Sequence, residues 1–270
     1  MKKSIKTYLK TAAKDYTSRS VNPPVVRAST ILFKTMQELR KHQKDIAKKK
    51  EVEHWDYGRQ GTQTTVQLQK LLRGLEEAHQ VFLTPTGFSA VALAIMSICR
   101  PGDEIVISDG VYRPTQKLTD DLLKEFNVKT NWYNPNNLED LKKKITKRTK
   151  LIYVENPGSN TFEMQDLGKI VSLAKSKNIF TAIDNTWATA YFFKPLKLGF
   201  DMSITSATKY YSGHSDVMGG TVAVNKKVYK KVWWYNHLSG YRLSSDDAYL
   251  IIRGLRTLDI RLEKHEESTK

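Results

Sequence analysis

After residue 100 the chain alternates short apolar runs with helical patterns, and few architectures accept that order. Glu104–Ser108, Leu151–Glu155, Ile179–Asp184, Met202–Thr205 and Thr221–Val224 read as strands. Pro114–Phe126, Leu138–Ile145 and Leu167–Lys177 read as helices set among them. A strand without a polar face must be covered on both sides, and parallel strands joined through helices meet that need. The expected fold class is therefore α/β, a mostly parallel central sheet flanked by helices.

Two further helices precede the alternation. Thr64–His79 places Val66, Leu68, Leu71, Leu72 and Leu75 near a 3.6-residue period, and Gly87–Ile98 is a small-residue apolar helix that begins just after Pro85. Asp246–Glu263 reads as one long helix at the other end. Residues 1–60 read as an N-terminal arm of turns and short helices, with a breaker at Asn22-Pro23-Pro24 and a charged helix over Met36–Lys50. The expected division is an arm over 1–60, a main domain over 61–245 and a linking helix over 246–270.

Composition removes several classes of function. The 270 residues are 40% hydrophobic and 27% charged, as in globular chains that bury a core. The longest apolar stretch, Ala90–Cys99, falls short of the roughly 20 residues that a membrane span needs. Lys6, Lys10 and Lys14 interrupt any apolar leader. A single cysteine, Cys99, excludes an internal disulfide and reads as a buried thiol. A cytoplasmic protein with no membrane partner is expected. The net charge of +16 invites a nucleic-acid reading, but residues 1–50 alone hold 14 Lys/Arg against 3 Asp/Glu. The basic excess belongs mostly to that segment, and lysine outnumbers the base-reading arginine by 32 to 12. No nucleic-acid partner is expected.

Ligands of parallel α/β sheets bind beyond the carboxyl ends of the strands. Asp184 ends one apolar strand, and Ser206-Ala207-Thr208-Lys209 follows another. An acid and a lysine on one rim suit pyridoxal phosphate: the amine condenses with its aldehyde, and the carboxylate keeps its ring nitrogen protonated. Ser206 and Thr208, two apart, would point the same way in an extended stretch and offer hydroxyls to the phosphate. Thr86-Gly87 opens a helix whose first N–H groups attract an anion, and Gly87 allows close approach. Each piece alone has an ordinary reading as a turn residue, a surface lysine or a common helix start. The weight lies in all three occurring in order on the right element ends.

The motifs now resemble a known family. Ala182-Ile183-Asp184-Asn185-Thr186-Trp187 and Ser206-Ala207-Thr208-Lys209-Tyr210, followed by Ser212-Gly213-His214-Ser215-Asp216, are similar to stretches of the cysteine/methionine-metabolism enzymes that use pyridoxal phosphate. Tyr57-Gly58-Arg59, Thr86-Gly87-Phe88, Asp109-Gly110-Val111-Tyr112 and Arg253-Gly254-Leu255-Arg256-Thr257-Leu258 add to the match, which runs from about Val21 to the last residue. Within the family, Glu155-Asn156-Pro157-Gly158-Ser159 with Phe162-Glu163-Met164-Gln165-Asp166 resembles the β-lyase branch, as does Asn22-Pro23-Pro24-Val25 with Ala28-Ser29-Thr30.

The resemblance implies a fold type I large domain over 61–245 and the cofactor pyridoxal 5′-phosphate. It implies Lys209 as its covalent attachment and the carrier of the substrate α-proton, a role helped by desolvation of the amine. Asp184 would pair with the ring nitrogen. Gly87, Phe88, Ser206 and Thr208 would hold the phosphate, although the family often has Met where Phe88 stands. Tyr112 would stack on the ring and take part in proton transfer. Tyr57 and Arg59 would reach the phosphate in the neighbouring subunit, so a homo-oligomer, a dimer and then a tetramer, is implied. No metal is implied. The implied reaction is α,β-elimination of cystathionine, an amino-acid substrate, to homocysteine, pyruvate and ammonia in methionine biosynthesis. A γ-lyase, a γ-synthase, a sulfhydrylase and a catalytically incomplete cofactor-binding fragment are the alternatives. The family chain continues into a C-terminal domain that supplies the arginine for the substrate carboxylate, so a truncated sequence carrying only the start of that domain is expected.

Overall fold

Seven strands form one sheet in the order β1-β7-β6-β5-β4-β2-β3. They are β1 (Gln80–Thr84), β2 (Glu104–Ser108), β3 (Lys129–Tyr133), β4 (Thr149–Glu155), β5 (Phe180–Asp184), β6 (Met202–Thr205) and β7 (Gly220–Val224). β3, β2, β4, β5 and β6 run parallel, and β7 lies antiparallel between β6 and β1. The sheet is thus mostly parallel and flanked by helices, as the alternation predicts. The computed structural model describes residues 4–13, 20–48 and 57–270.

The helices are α1 (Ile5–Thr11), α2 (Met36–Ala47), α3 (Gln63–Glu76), α4 (Gly87–Ile98), α5 (Arg113–Lys117), α6 (Leu123–Glu125), α7 (Leu138–Lys144), α8 (Leu167–Ser176), α9 (Thr189–Phe192), α10 (Pro195–Leu198), α11 (Tyr229–Ser239), α12 (Ser245–Leu255) and α13 (Leu258–Thr269). Alternate residues of each strand face opposite layers. Ile105, Ile107, Leu151, Tyr153, Val222 and Val224 pack with Leu93 and Ile95 of α4 and Val232 and Trp233 of α11. On the other face, Val106, Ile152, Val154 and Ile183 meet Leu141, Ile170 and Val171. Beside them Leu83 and Ala223 meet Leu68, Leu71 and Leu72 of α3 and Ile251 and Ile252 of α12.

Three expectations change. The helix predicted over Asp246–Glu263 is two helices, α12 and α13, because Thr257 leaves helical geometry and its hydroxyl donates to Gly254 O (3.2 Å). The stretch predicted as one helix over Pro114–Phe126 contains a π-turn at Leu118–Leu122 between α5 and α6. β1 and β3 have no counterpart among the expected strands. β3 is an edge strand that pairs with β2 and exposes Lys129, so it lacks a continuous apolar run. α1, within the expected arm, packs on the body of its own chain. Leu9 is fully buried against α3, Tyr8 Oη donates to Leu71 O (2.9 Å), and Lys10 pairs with Asp259 (2.7 Å). The predicted helix over Met36–Lys50 forms as α2, and its last two residues, with 51–56, lie outside the described residues.

Under this layer Glu76 is buried and accepts a hydrogen bond from Tyr211 Oη (2.9 Å). Burial pushes its carboxyl up to about 7. A carboxyl raised in the folded state adds stability that is fully present below its unfolded value and is lost as pH rises through the folded one. Between pH 4.5 and 7 wild type should therefore lose roughly 2–3 kcal/mol that Glu76→Gln does not lose. Urea melts of both proteins across that range check it, and parallel curves would refute it.

Candidate active site

The parallel strands β4, β5 and β6 end on one rim. β4 and β5 end in register on two acids, Glu155 beside Asp184, and β6 leads directly into Ser206–Lys209. Glu155 is 7% exposed, and its Oε2 accepts the Tyr112 N–H (2.7 Å). Asp184 keeps some exposure at the rim, and its Oδ1 accepts the Thr186 N–H (3.0 Å). Burial raises both carboxyls above their usual range, and the charge of Asp184 raises Glu155 further. A crowded acid pair of this kind favours a cation beside it.

The second half of the rim lies at the start of α4. Thr86 caps this helix: its Oγ1 accepts the Ser89 N–H (3.0 Å), and Ser89 Oγ accepts the Thr86 N–H (2.9 Å). The donors left at the open end of the helix are the N–H groups of Gly87 and Phe88. A Cβ at Gly87 would collide with the Ser206 hydroxyl, so only glycine lets the helix start approach the β6 turn this closely. Phe88 is half-exposed there. The geometry brings Gly87 and Ser206 together as an anion cradle would require.

Two local expectations fail. Residues 207–212 form a turn, not an extended stretch, so the hydroxyls of Ser206 and Thr208 do not share a direction by strand alternation. Ser206 faces Gly87, whereas the Thr208 hydroxyl accepts the Gly219 N–H (3.0 Å) and donates to Gly219 O (3.2 Å), holding the turn to the approach to β7. Lys209 is exposed rather than desolvated, because the turn carries it past the helical layers onto the open rim. Its backbone is fixed: the Lys209 N–H donates to Ser206 O (3.1 Å) and Lys209 O accepts the Gly213 N–H (2.8 Å).

Tyr112 immediately precedes α5 at the same rim and is 48% exposed. The Arg59 guanidinium lies 5.7 Å from the centre of the Tyr57 ring. Among the described residues Tyr57 bridges to Thr30 and Arg59 donates to His237 O (3.5 Å) near the end of α11, away from the strand-end group. Glu155 received no role from the sequence. Its signal was available, since it ends an apolar strand on an acid just as Asp184 does.

An acid pair, a lysine and a capped helix start on one strand-end rim make an α/β scaffold suited to holding a cofactor. Residues 6–270 match the family described as Cys/Met metabolism PLP-dependent enzymes. A cystathionine β-lyase of Haemophilus influenzae is 37% identical over 258 residues, 95% of this chain and 64% of that protein. An L-alanine/L-glutamate racemase of Wolbachia pipientis is 33% identical over 254 residues, 92% of this chain and 62% of that protein. Among solved structures, a cystathionine γ-lyase of Lactobacillus plantarum complexed with L-serine superposes with a TM-score of 0.87 at 28% identity, over 96% of this chain and 65% of that one. The chain belongs to the Cys/Met metabolism family of pyridoxal-phosphate-dependent enzymes, and pyridoxal 5′-phosphate is its cofactor. It spans 60 to 71% of the length of these curated relatives. No helix of the described residues is long and apolar enough to cross a membrane.

Proposed function

We propose that this chain carries the cofactor site of a cytoplasmic, oligomeric carbon–sulfur lyase that eliminates across the α and β carbons of cystathionine. With water, cystathionine would give homocysteine, pyruvate and ammonia. The observation that carries the reading is the rim itself, with the acid pair at one side, the Gly87–Ser206 cradle at the other and Lys209 on the turn between β6 and β7. These residues fit the cofactor's chemistry: a cationic ring nitrogen relieves the Asp184–Glu155 crowding, and a phosphate meets the donors of the α4 start.

The bound cofactor supplies an electron sink for a carbanion. Asp184 would hold the ring-nitrogen proton. Gly87, Phe88, Ser206 and Thr208 would bind the phosphate, Thr208 chiefly by keeping the turn in place. Lys209 would attach the cofactor, and its amine, once displaced by substrate, would take the α-proton. Tyr112 would stack on the ring and assist proton transfer. Tyr57 and Arg59 would serve the phosphate of a neighbouring subunit.

The Wolbachia relative favours a second reading, in which the α-proton returns to the opposite face and the substrate is racemised. One series of assays separates the reactions. The protein, loaded with pyridoxal phosphate, is treated with borohydride and digested. A reduced adduct on Lys209, absent from Lys209→Ala, supports the site, and an adduct elsewhere or none overturns it. Substrates then distinguish the reactions: pyruvate from cystathionine supports β-elimination, 2-oxobutyrate from it a γ-lyase, and D-alanine formed from L-alanine the racemase.

A further inference from the structure

The stretch 155–166, which resembles the β-lyase branch, is folded back onto the loop that carries Tyr112. Ser159 N–H donates to Gly110 O (2.7 Å), beside the Tyr112 N–H bond to Glu155 (2.7 Å). The Glu163 carboxylate fills the space over Gly110 and Gly158, where any Cβ would collide with it. The stretch is itself anchored from beneath. Gln165 Nε2 donates to Glu155 O (3.0 Å), Gln165 N–H donates to Asn156 Oδ1 (2.7 Å), and Tyr133 Oη donates to Gln165 Oε1. The other end of the Tyr112 loop is tied by Asp109 N–H to Tyr133 O (3.1 Å).

We propose that Glu155 is a positioning residue: its buried carboxyl fixes the Tyr112 backbone and thereby sets where the exposed Tyr112 ring stands over the cofactor site. The second half of that statement rests on the reading of the rim as the cofactor site. The Tyr112 ring is half-exposed, so its placement depends on the backbone that carries it. That backbone donates its N–H to a short bond with a buried acceptor, the geometry of a strong and directional contact. Glu155 also stands beside Asp184 in strand register. One side chain thus joins the proposed partner of the ring nitrogen to the proposed stacking residue.

The test compares Glu155→Gln, which keeps an acceptor oxygen, with Glu155→Leu, which fills the space without one. Glu155→Ala replaces the leucine variant if that one does not fold. In the cofactor-free protein, amide exchange at Tyr112 should be about tenfold faster in the leucine variant and near wild type in the glutamine variant. Exchange in α3 should be alike in all three. In the loaded protein, the visible circular dichroism of the cofactor should weaken in the leucine variant and recover with glutamine. Unchanged Tyr112 exchange in a folded leucine variant would overturn the proposal, as would a glutamine variant as perturbed as the leucine one. If wild type traps no cofactor at Lys209, the proposed function fails, while the exchange experiment still decides the Glu155–Tyr112 link.

Discussion

Asp184→Asn should weaken pyridoxal phosphate binding on the order of a hundredfold, yet make the empty protein more stable at pH 8. The two effects have one origin. Asp184 sits beside Glu155 in register, and burial raises both carboxyls. In the empty protein a raised carboxyl contributes stability below its unfolded value and loses it as pH rises through the folded value, so ionising this pair works against the fold. Asparagine keeps an acceptor for the Thr186 N–H and removes the charge. If Asp184 holds the ring nitrogen, the sign reverses with the cofactor present, because truncating one partner of a buried charge pair costs about 2–5 kcal/mol. A titration of the cofactor absorbance and a pair of melts at pH 8 measure both. Binding within a few-fold of wild type would sink the assignment of Asp184 to the ring nitrogen.

Leu9→Ala should cost about 2–5 kcal/mol, the usual range for deleting a fully buried leucine. Leu9 meets Leu68, Leu71, Leu72 and Leu75 of α3, and the Lys10–Asp259 and Lys6–Glu263 pairs tie the same helix to α13. If α1 were a solvated arm, the change would fall within about 0.5 kcal/mol. A denaturant melt decides between the two values.

These cases show what a reader of the sequence could and could not see. β2, β4, β5 and β6 were legible because both of their faces are covered and the residues announce it as apolar runs. β3 was hidden because its outer edge meets solvent, and β1 because its short run falls between two helices. The rim positions of Asp184, Lys209 and Gly87 were legible because each stands at or just past a strand end or at a helix start, a position defined by neighbours in the chain. The Glu155–Tyr112 bond joins residues 43 apart, and the docking of Leu9 onto Leu71 spans more still, so nothing local signals either. The error at Thr208 was one of backbone. Alternation holds only in extended chain, and a turn redirected the hydroxyl to Gly219.

Strand order also bears on how this chain comes off the ribosome. β1 pairs with β7, Gln80 opposite Val224, and β7 is the last of the seven strands of this sheet to be made. At 5–20 residues per second, β1 waits on the order of ten seconds for its partner. Through that interval Val81, Phe82 and Leu83 belong to a nascent segment that can pair with another chain as readily as with its own. Yield of native protein should thus depend on translation speed and chaperone supply more than the finished fold suggests.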